Sequence, residues 1–147
     1  EAGISALDGL KTEAGASFTD HIPEIDACFA KQSVEEIVSC LQAGSDWAQG
    51  QAAGLKKKSP LTLKIAHRQL HEGGQCKDFR ENMRMEYRIA SRLVLTKSFH
   101  EGVRAVLIDK DNKPDWTPGS LEEVRPVILN TFFETLGEDE LKFIGEK

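Results

Sequence analysis

Ser98-Phe99-His100-Glu101-Gly102-Val103-Arg104-Ala105-Val106-Leu107-Ile108-Asp109-Lys110-Asp111 reads as a helix followed by a charged stop. Ser98 and Glu101 have the S-x-x-E spacing of a capping box: the hydroxyl accepts from the Glu101 amide and the carboxylate reaches back to the Ser98 amide. Glu101 then also lies at the positive end of the helix dipole. Phe99, Val103, Val106 and Leu107 recur at helical spacing, which predicts one apolar face. Gly102 sits inside the first turn, where glycine costs about 1 kcal/mol against alanine. A glycine kept there predicts the close approach of another backbone. Glu101 and Gly102 are therefore expected to serve helix geometry, with the lining of a ligand site as the alternative.

The same punctuation runs through the rest of the chain. His21 to Phe29 is expected to be helical, with Thr19 or Asp20 as its cap. Ser33-Val34-Glu35-Glu36 is a second capping box, opening a helix with Val34, Ile37, Val38 and Leu41 on one face and Gly44 at its end. Ser45-Asp46-Trp47 starts a helix to about Lys57. Ser59-Pro60 sets a cap before a proline at the first helical position, and the helix carries Leu61, Ile65 and Leu70 as far as Gly73-Gly74. Asp78 starts the longest helix, to about Lys97, with Phe79, Met83, Tyr87, Ala90 and Val94 as its apolar face. After a loop through Pro114, Trp116 and Thr117-Pro118-Gly119, Ser120-Leu121-Glu122-Glu123 is a third capping box. Pro126 then begins a helix with Val127, Ile128, Phe132, Phe133 and Leu136, closed by Gly137. No segment alternates as a strand does, and no period of 20–50 residues repeats. The expected class is all-α, with residues 1–19 a weakly determined lead-in and 20–147 the helical domain.

Composition narrows the function. The net charge of -5 and the pI near 5.4 argue against nucleic acid as the main partner. Lys56-Lys57-Lys58 is the one basic cluster and reads as a solvated helix end. Cys28, Cys40 and Cys76 are odd in number and widely spaced, which points to reduced thiols rather than a disulfide framework or zinc ribbon. No apolar run approaches the length of a membrane span. The first residue is Glu and no charged-then-apolar leader follows, so the chain is expected to be a processed or truncated product.

Candidate chemistry is sparse. His67 and His71 are spaced to face one point on a helix, as in zinc sites, but Arg68 stands where a zincin needs Glu and no third ligand is evident. Two exposed polar residues is the reading preferred. Asp109-Lys110-Asp111-Asn112 opens like a calcium loop, yet Pro114 occupies the position of the required glycine, so that reading is rejected. Cys76 with His71 or His100 would need a hydrogen-bonded base and a third orienting group, for which the sequence gives no arrangement. No metal, cofactor or catalytic residue is expected within the chain.

A resemblance adds what these patterns do not. The segments Ser59-Pro60-Leu61-Thr62-Leu63-Lys64-Ile65 and Met85-Glu86-Tyr87-Arg88, and the run Phe99 to Asp111, are similar to the 3-hydroxyisobutyryl-CoA hydrolase branch of the crotonase (enoyl-CoA hydratase) superfamily. Pro114, Trp116, Leu136-Gly137, Leu141 and Phe143 follow at that family's spacing, and Val34-Glu35-Glu36-Ile37 fits an upstream segment. The likeness covers about residues 20 to 143 and falls in the family's C-terminal part. It implies the helical C-terminal region of a crotonase-type α/β fold, whose βαβ core, oxyanion amides and catalytic carboxylates lie before residue 1. The implied partner is that N-terminal core. The implied activity is hydrolysis of a CoA thioester in valine breakdown, with this chain alone inactive.

The same resemblance names one substrate contact. Crotonases often use a Lys near the end of the Glu-Gly-x-x-Ala helix to approach the CoA nucleotide, and Lys110 is the nearest match. The apolar run before it is one residue longer than in the hydratases, and Val106 stands where they often carry Phe. The implied location is mitochondrial, with bacterial cytoplasm as the alternative. Family members are also recruited as structural subunits of the mitochondrial ribosome, so a protein interaction surface is the alternative role, and nucleic acid would be met only through that assembly. No membrane partner is implied. An independent helical scaffold is the weakest alternative.

Overall fold

The structure is a computed structural model that describes residues 18–145; residues 1–17, most of the expected lead-in, lie outside them. Among the described residues there are helices and no strands. A short 3-10 turn, Thr19–His21, leads into α1 (Ile22–Phe29), followed by α2 (Val34–Ala43), α3 (Asp46–Leu55), α4 (Pro60–Gly73), α5 (Phe79–Leu93), α6 (Lys97–Val103) and α7 (Pro126–Thr131). Among the described residues no helix is long and apolar enough to cross a membrane.

Four of the helix starts form as their caps predict. Ser33, Ser45, Ser59 and Asp78 each accept from the amide three residues on, which satisfies one of the orphan donors at a helix start. At α2 the return arm of the box is shifted by one residue, because Glu36 accepts from the Gln32 amide. Two capping boxes are not formed. The expected Ser98–Glu101 box is displaced by Thr96, whose Oγ1 accepts from the Phe99 amide and donates to the Leu93 carbonyl. That one hydroxyl ends α5 at Leu93, short of the expected Lys97, and starts α6. The Ser120–Glu123 box opens no helix: Glu123 accepts from the Gly119 amide and closes a turn.

Two apolar clusters hold the helices. The larger gathers Leu61 and Ile65 of α4, Met85 and Ile89 of α5, and Val124, Phe132 and Phe133 from the C-terminal segment. The Arg68 guanidinium lies 4.1 Å from the centre of the Phe133 ring, a cation–π contact. Lys64 ties the same region together, pairing with Glu35 at 2.6 Å and donating to the Val124 carbonyl at 3.4 Å. Helix α7 stops at Thr131 rather than running to Leu136. Adjacent residues on a helix do not share a face, and a turn after Thr131 lets both Phe132 and Phe133 enter the core.

The smaller cluster joins α1, α2 and α3 through Cys28, Ile37, Leu41, Ala48 and Ala52. Here the expectation of reduced thiols is overturned. Cys28 and Cys40 form a disulfide, with Cα atoms 5.4 Å apart. Their spacing hides this, because the tight turn between α1 and α2 folds the two positions together. Glu24 on α1 accepts from both the amide and the hydroxyl of Ser45, at 2.8 and 2.6 Å, and these bonds hold its carboxyl below the usual range. A Cβ at Gly44 would lie 2.9 Å from the Ala48 Cβ and would also displace the Glu24 carboxylate, so the glycine serves close approach.

The apolar faces do not all point inward. On α5, Met85 and Ile89 are buried, but of the expected stripe Phe79, Tyr87, Ala90 and Val94 are exposed and Met83 is half-buried, with Phe79 71% exposed. Leu70, expected in the α4 core face, is 80% exposed. The helical face that reads as apolar in the sequence is thus a second face, largely exposed among the described residues.

Candidate functional site

Helix α6 does not end as an α-helix. Arg104–Ile108 forms a π-turn, closed by the Asp109 amide donating to the Arg104 carbonyl at 2.8 Å. The extra residue widens the turn, and such turns occur often at functional positions. The Asn112 amide then donates to the Ala105 carbonyl at 3.0 Å. Between these bonds the chain reverses through Lys110 and Asn112, which both take positive φ, +57° and +53°.

Arg104 holds this reversal in place. Its Nε and Nη2 donate to the two Glu101 carboxylate oxygens at 3.0 and 2.7 Å, a bidentate pair. Its Nη1 donates to Asp109 and to Asp111, and Nη2 also reaches the Lys113 carbonyl. Glu101 Oε1 accepts in addition from the Asp115 amide at 2.8 Å. These contacts, Arg104 foremost and then the Asp115 amide, pull the Glu101 carboxyl down to about 2. Asp111 is also held below its ordinary value, first by Arg104 and then by the Lys113 amide. The Arg104 guanidinium is pushed further up in turn by Glu101, Asp111 and Asp109. Glu101 therefore serves geometry, as expected, but as an anchor for the 109–115 loop rather than as a helix cap.

Gly102 also serves packing, with a correction. The group that approaches it is a side chain: an added Cβ would lie 3.3 Å from Trp116 Cη2. The indole is fixed at its other end, Nε1 donating to the Lys57 carbonyl at 3.0 Å. Buried Ser98 donates to the Thr117 carbonyl at 2.8 Å. So α6, the start of α4 and Trp116 enclose a groove of about 360 Å³ bordered by Leu93, Phe99, Val103, Val106 and Leu107. Leu107 and Ile108 are 66% and 69% exposed.

The predicted substrate residue, Lys110, sits at the apex of the clamped reversal, exposed, between the two aspartates that Arg104 holds. The sequence assigns Arg104 no role, and it names Asp111 and Trp116 only within a rejected calcium loop and the family resemblance. The Glu101–Arg104 spacing, three apart on a helix, was the available signal; the loop contacts, which depend on the π-turn, had none.

The remaining sequence candidates do not converge. His67 Nε2 meets the Lys31 carbonyl at 3.3 Å, and His71 Nε2 meets Gln75 at 3.0 Å. Among the described residues no group of three His, Cys, Asp or Glu is placed to hold a metal ion. Cys76 Sγ donates to the Glu72 carbonyl, and burial pushes its thiol up, with the Glu81, Glu72 and Asp78 charges adding to the effect. That is the opposite of an activated nucleophile. The three-lysine run after α3 is exposed, as a solvated helix end would be.

Comparisons with known proteins complete the picture. The sequence model for enoyl-CoA hydratase/isomerase matches residues 4–133. The chain is 46% identical to human mitochondrial 3-hydroxyisobutyryl-CoA hydrolase over 125 residues, covering 84% of this chain and 32% of the human protein. It is 45% identical to the rat protein of the same name, covering 97% of this chain and 38% of that protein. In structure it is similar to a carnitinyl-CoA dehydratase from Mycobacterium thermoresistibile (TM-score 0.85, 26% identity), covering 97% of this chain and 41% of that one. It is also similar to an enoyl-CoA hydratase from Rhodobacter sphaeroides 2.4.1 (TM-score 0.77, 33% identity), covering 95% and 43%. The chain spans about a third of the length of the curated relatives it matches, in their C-terminal part.

Proposed function

From the premise that the chain belongs to the enoyl-CoA hydratase/isomerase (crotonase) family, we propose that it is the helical C-terminal part of a mitochondrial 3-hydroxyisobutyryl-CoA hydrolase. The observation that carries this reading is the 46% identity to the human enzyme through this segment. The reaction adds water to the thioester carbonyl and releases 3-hydroxyisobutyrate and CoA, a step of valine breakdown. Its oxyanion donors and carboxylates belong to the βαβ core, and this chain supplies docking and a substrate contact. The outward stripes of α5 and of the α6 π-turn are apolar surface for that core to cover, since exposed patches of this kind mark interaction sites.

Lys110 is the proposed substrate contact, meeting the nucleotide phosphates of CoA. The Arg104 clamp supports this role because it fixes the backbone on both sides of an exposed ammonium. In the full-length protein, Lys110→Ala should raise KM for the CoA thioester and leave KM for the matching pantetheine thioester, which lacks the nucleotide, unchanged. Equal effects on both substrates would remove Lys110 from the site.

The broader test is turnover. Full-length protein should release free CoA thiol from 3-hydroxyisobutyryl-CoA, and the purified 147-residue chain should not exceed a mock preparation. Activity in the isolated chain would overturn the division of labour. A full-length protein that is inactive and co-sediments with mitochondrial ribosomes would establish the alternative role as a ribosomal subunit.

A further inference from the structure

A groove of about 720 Å³ lies between the α1–α2 turn and α4. One wall is Phe29 to Gln32; the other includes Leu63, His67 and Leu70. The first wall hangs from α1, which the Cys28–Cys40 disulfide joins to α2. We propose that the Cys28–Cys40 disulfide is a redox latch: oxidised, it clamps α1 onto the α2–α3 pair and fixes that wall; reduced, it frees α1 to leave its seat and open the groove.

Three observations carry this. First, α1 buries a single side chain, Cys28 itself, at 3% exposure. Ile22 and Phe29 are exposed. An eight-residue helix is too short to be stable alone, so its order comes from docking. Second, among the described residues the polar and ring contacts of this segment lie at the surface: the Glu24–Ser45 bonds, a stack of His21 on Trp47 at 4.3 Å, and the Lys31 carbonyl with His67. Segments with so few buried contacts open locally at low free energy. Third, the two cysteines differ in burial. Cys28 is buried and Cys40 only partly so, which favours Cys40 as the point of attack.

The chemistry needs a dithiol reductant. Its thiolate attacks Cys40 Sγ, the Cys28–Cys40 bond breaks, and Cys28 leaves as a thiolate that takes up a proton. The second thiol of the reductant resolves the mixed disulfide and releases Cys40, which is protonated in turn. Two electrons and two protons pass to the protein, and the reductant departs as its own disulfide. The reverse exchange closes the latch. Cys76, with its thiol bonded to the Glu72 carbonyl on another part of the fold, takes no part. The inference does not depend on the proposed hydrolase activity.

The test is hydrogen exchange read by mass spectrometry on the full-length protein in three forms: oxidised, dithiol-reduced and Cys40→Ser. Amides of residues 22–32 should lose protection on the order of 10–100-fold in the reduced form and in Cys40→Ser, as expected when a short covalent loop is opened. Peptides from α5 should be unchanged, and reoxidation should restore the wild-type pattern. The reduced wild type carries the comparison if Cys40→Ser does not fold. Equal protection of 22–32 in the oxidised and reduced forms would overturn the latch. So would non-reducing peptide mapping that finds Cys28 and Cys40 unlinked after air oxidation.

Discussion

Ile65 should show a graded cost when it is shortened. It is 1% exposed and lies among Leu61, Met85, Ile89, Phe132 and Phe133. Ile65→Val removes one buried carbon and Ile65→Ala removes three. At about 0.8 kcal/mol per buried methylene the transfer terms are ~0.8 and ~2.4 kcal/mol. The cavity adds to both, and how much depends on whether the walls close in. Phe133 is restrained by Arg68 lying over its ring, whereas Met85 is flexible enough to fill part of the space. We expect about 1 kcal/mol for Ile65→Val and about 3 kcal/mol for Ile65→Ala. Urea unfolding of the full-length protein would measure this as a shift in midpoint at constant slope. A cost for Ile65→Ala below about 1 kcal/mol, or no greater than that of Ile65→Val, would refute the placement of Ile65 at the centre of the larger cluster.

Glu101 should titrate near 2 in a carboxyl NMR titration, and Arg104→Leu should return it toward 4.5. Because its folded value is depressed, its contribution to stability is present above 4.5 and is lost as pH falls from there through about 2. An isolated Cys76 thiol should react with a maleimide at neutral pH several-fold more slowly than a free cysteine; stopped-flow rates equal to those of free cysteine would contradict the raised thiol. Trp116→Phe deletes the bond to the Lys57 carbonyl and should cost about 1 kcal/mol in thermal unfolding, with faster exchange in residues 113–118 as the local signature.

The parts of the fold that could be read from the chain are those set by local chemistry. Ser33, Ser45, Ser59 and Asp78 act within three residues of themselves, so their helices start where the residues say. Ser98 could not be read in this way, because Thr96 lies two residues earlier and caps the helix itself, accepting from the Phe99 amide. The site divides along the same line. The Glu101–Arg104 pairing is local, whereas Asp111, Asp115 and Trp116 join it only after the chain turns back on itself. The α5 stripe was visible as periodicity, but periodicity does not tell which of two apolar faces meets this chain's own core and which is left for something else. The disulfide depends on the angle between two helices, and spacing in sequence carries no record of that.

The π-turn at Arg104–Ile108 bears on how such a chain tolerates change in length. A turn that already holds one residue more than an α-turn is a place where a residue has room to be gained or lost. Deleting one residue there would let α6 continue as a regular helix to the reversal. The Arg104 guanidinium would then have to find its aspartates from a position rotated by about 100°. The wide turn lies after Gly102, which packs against Trp116, and before the reversal that carries Lys110. A change of one residue there would alter the reach of the Lys110 side chain before it altered the packing of Gly102.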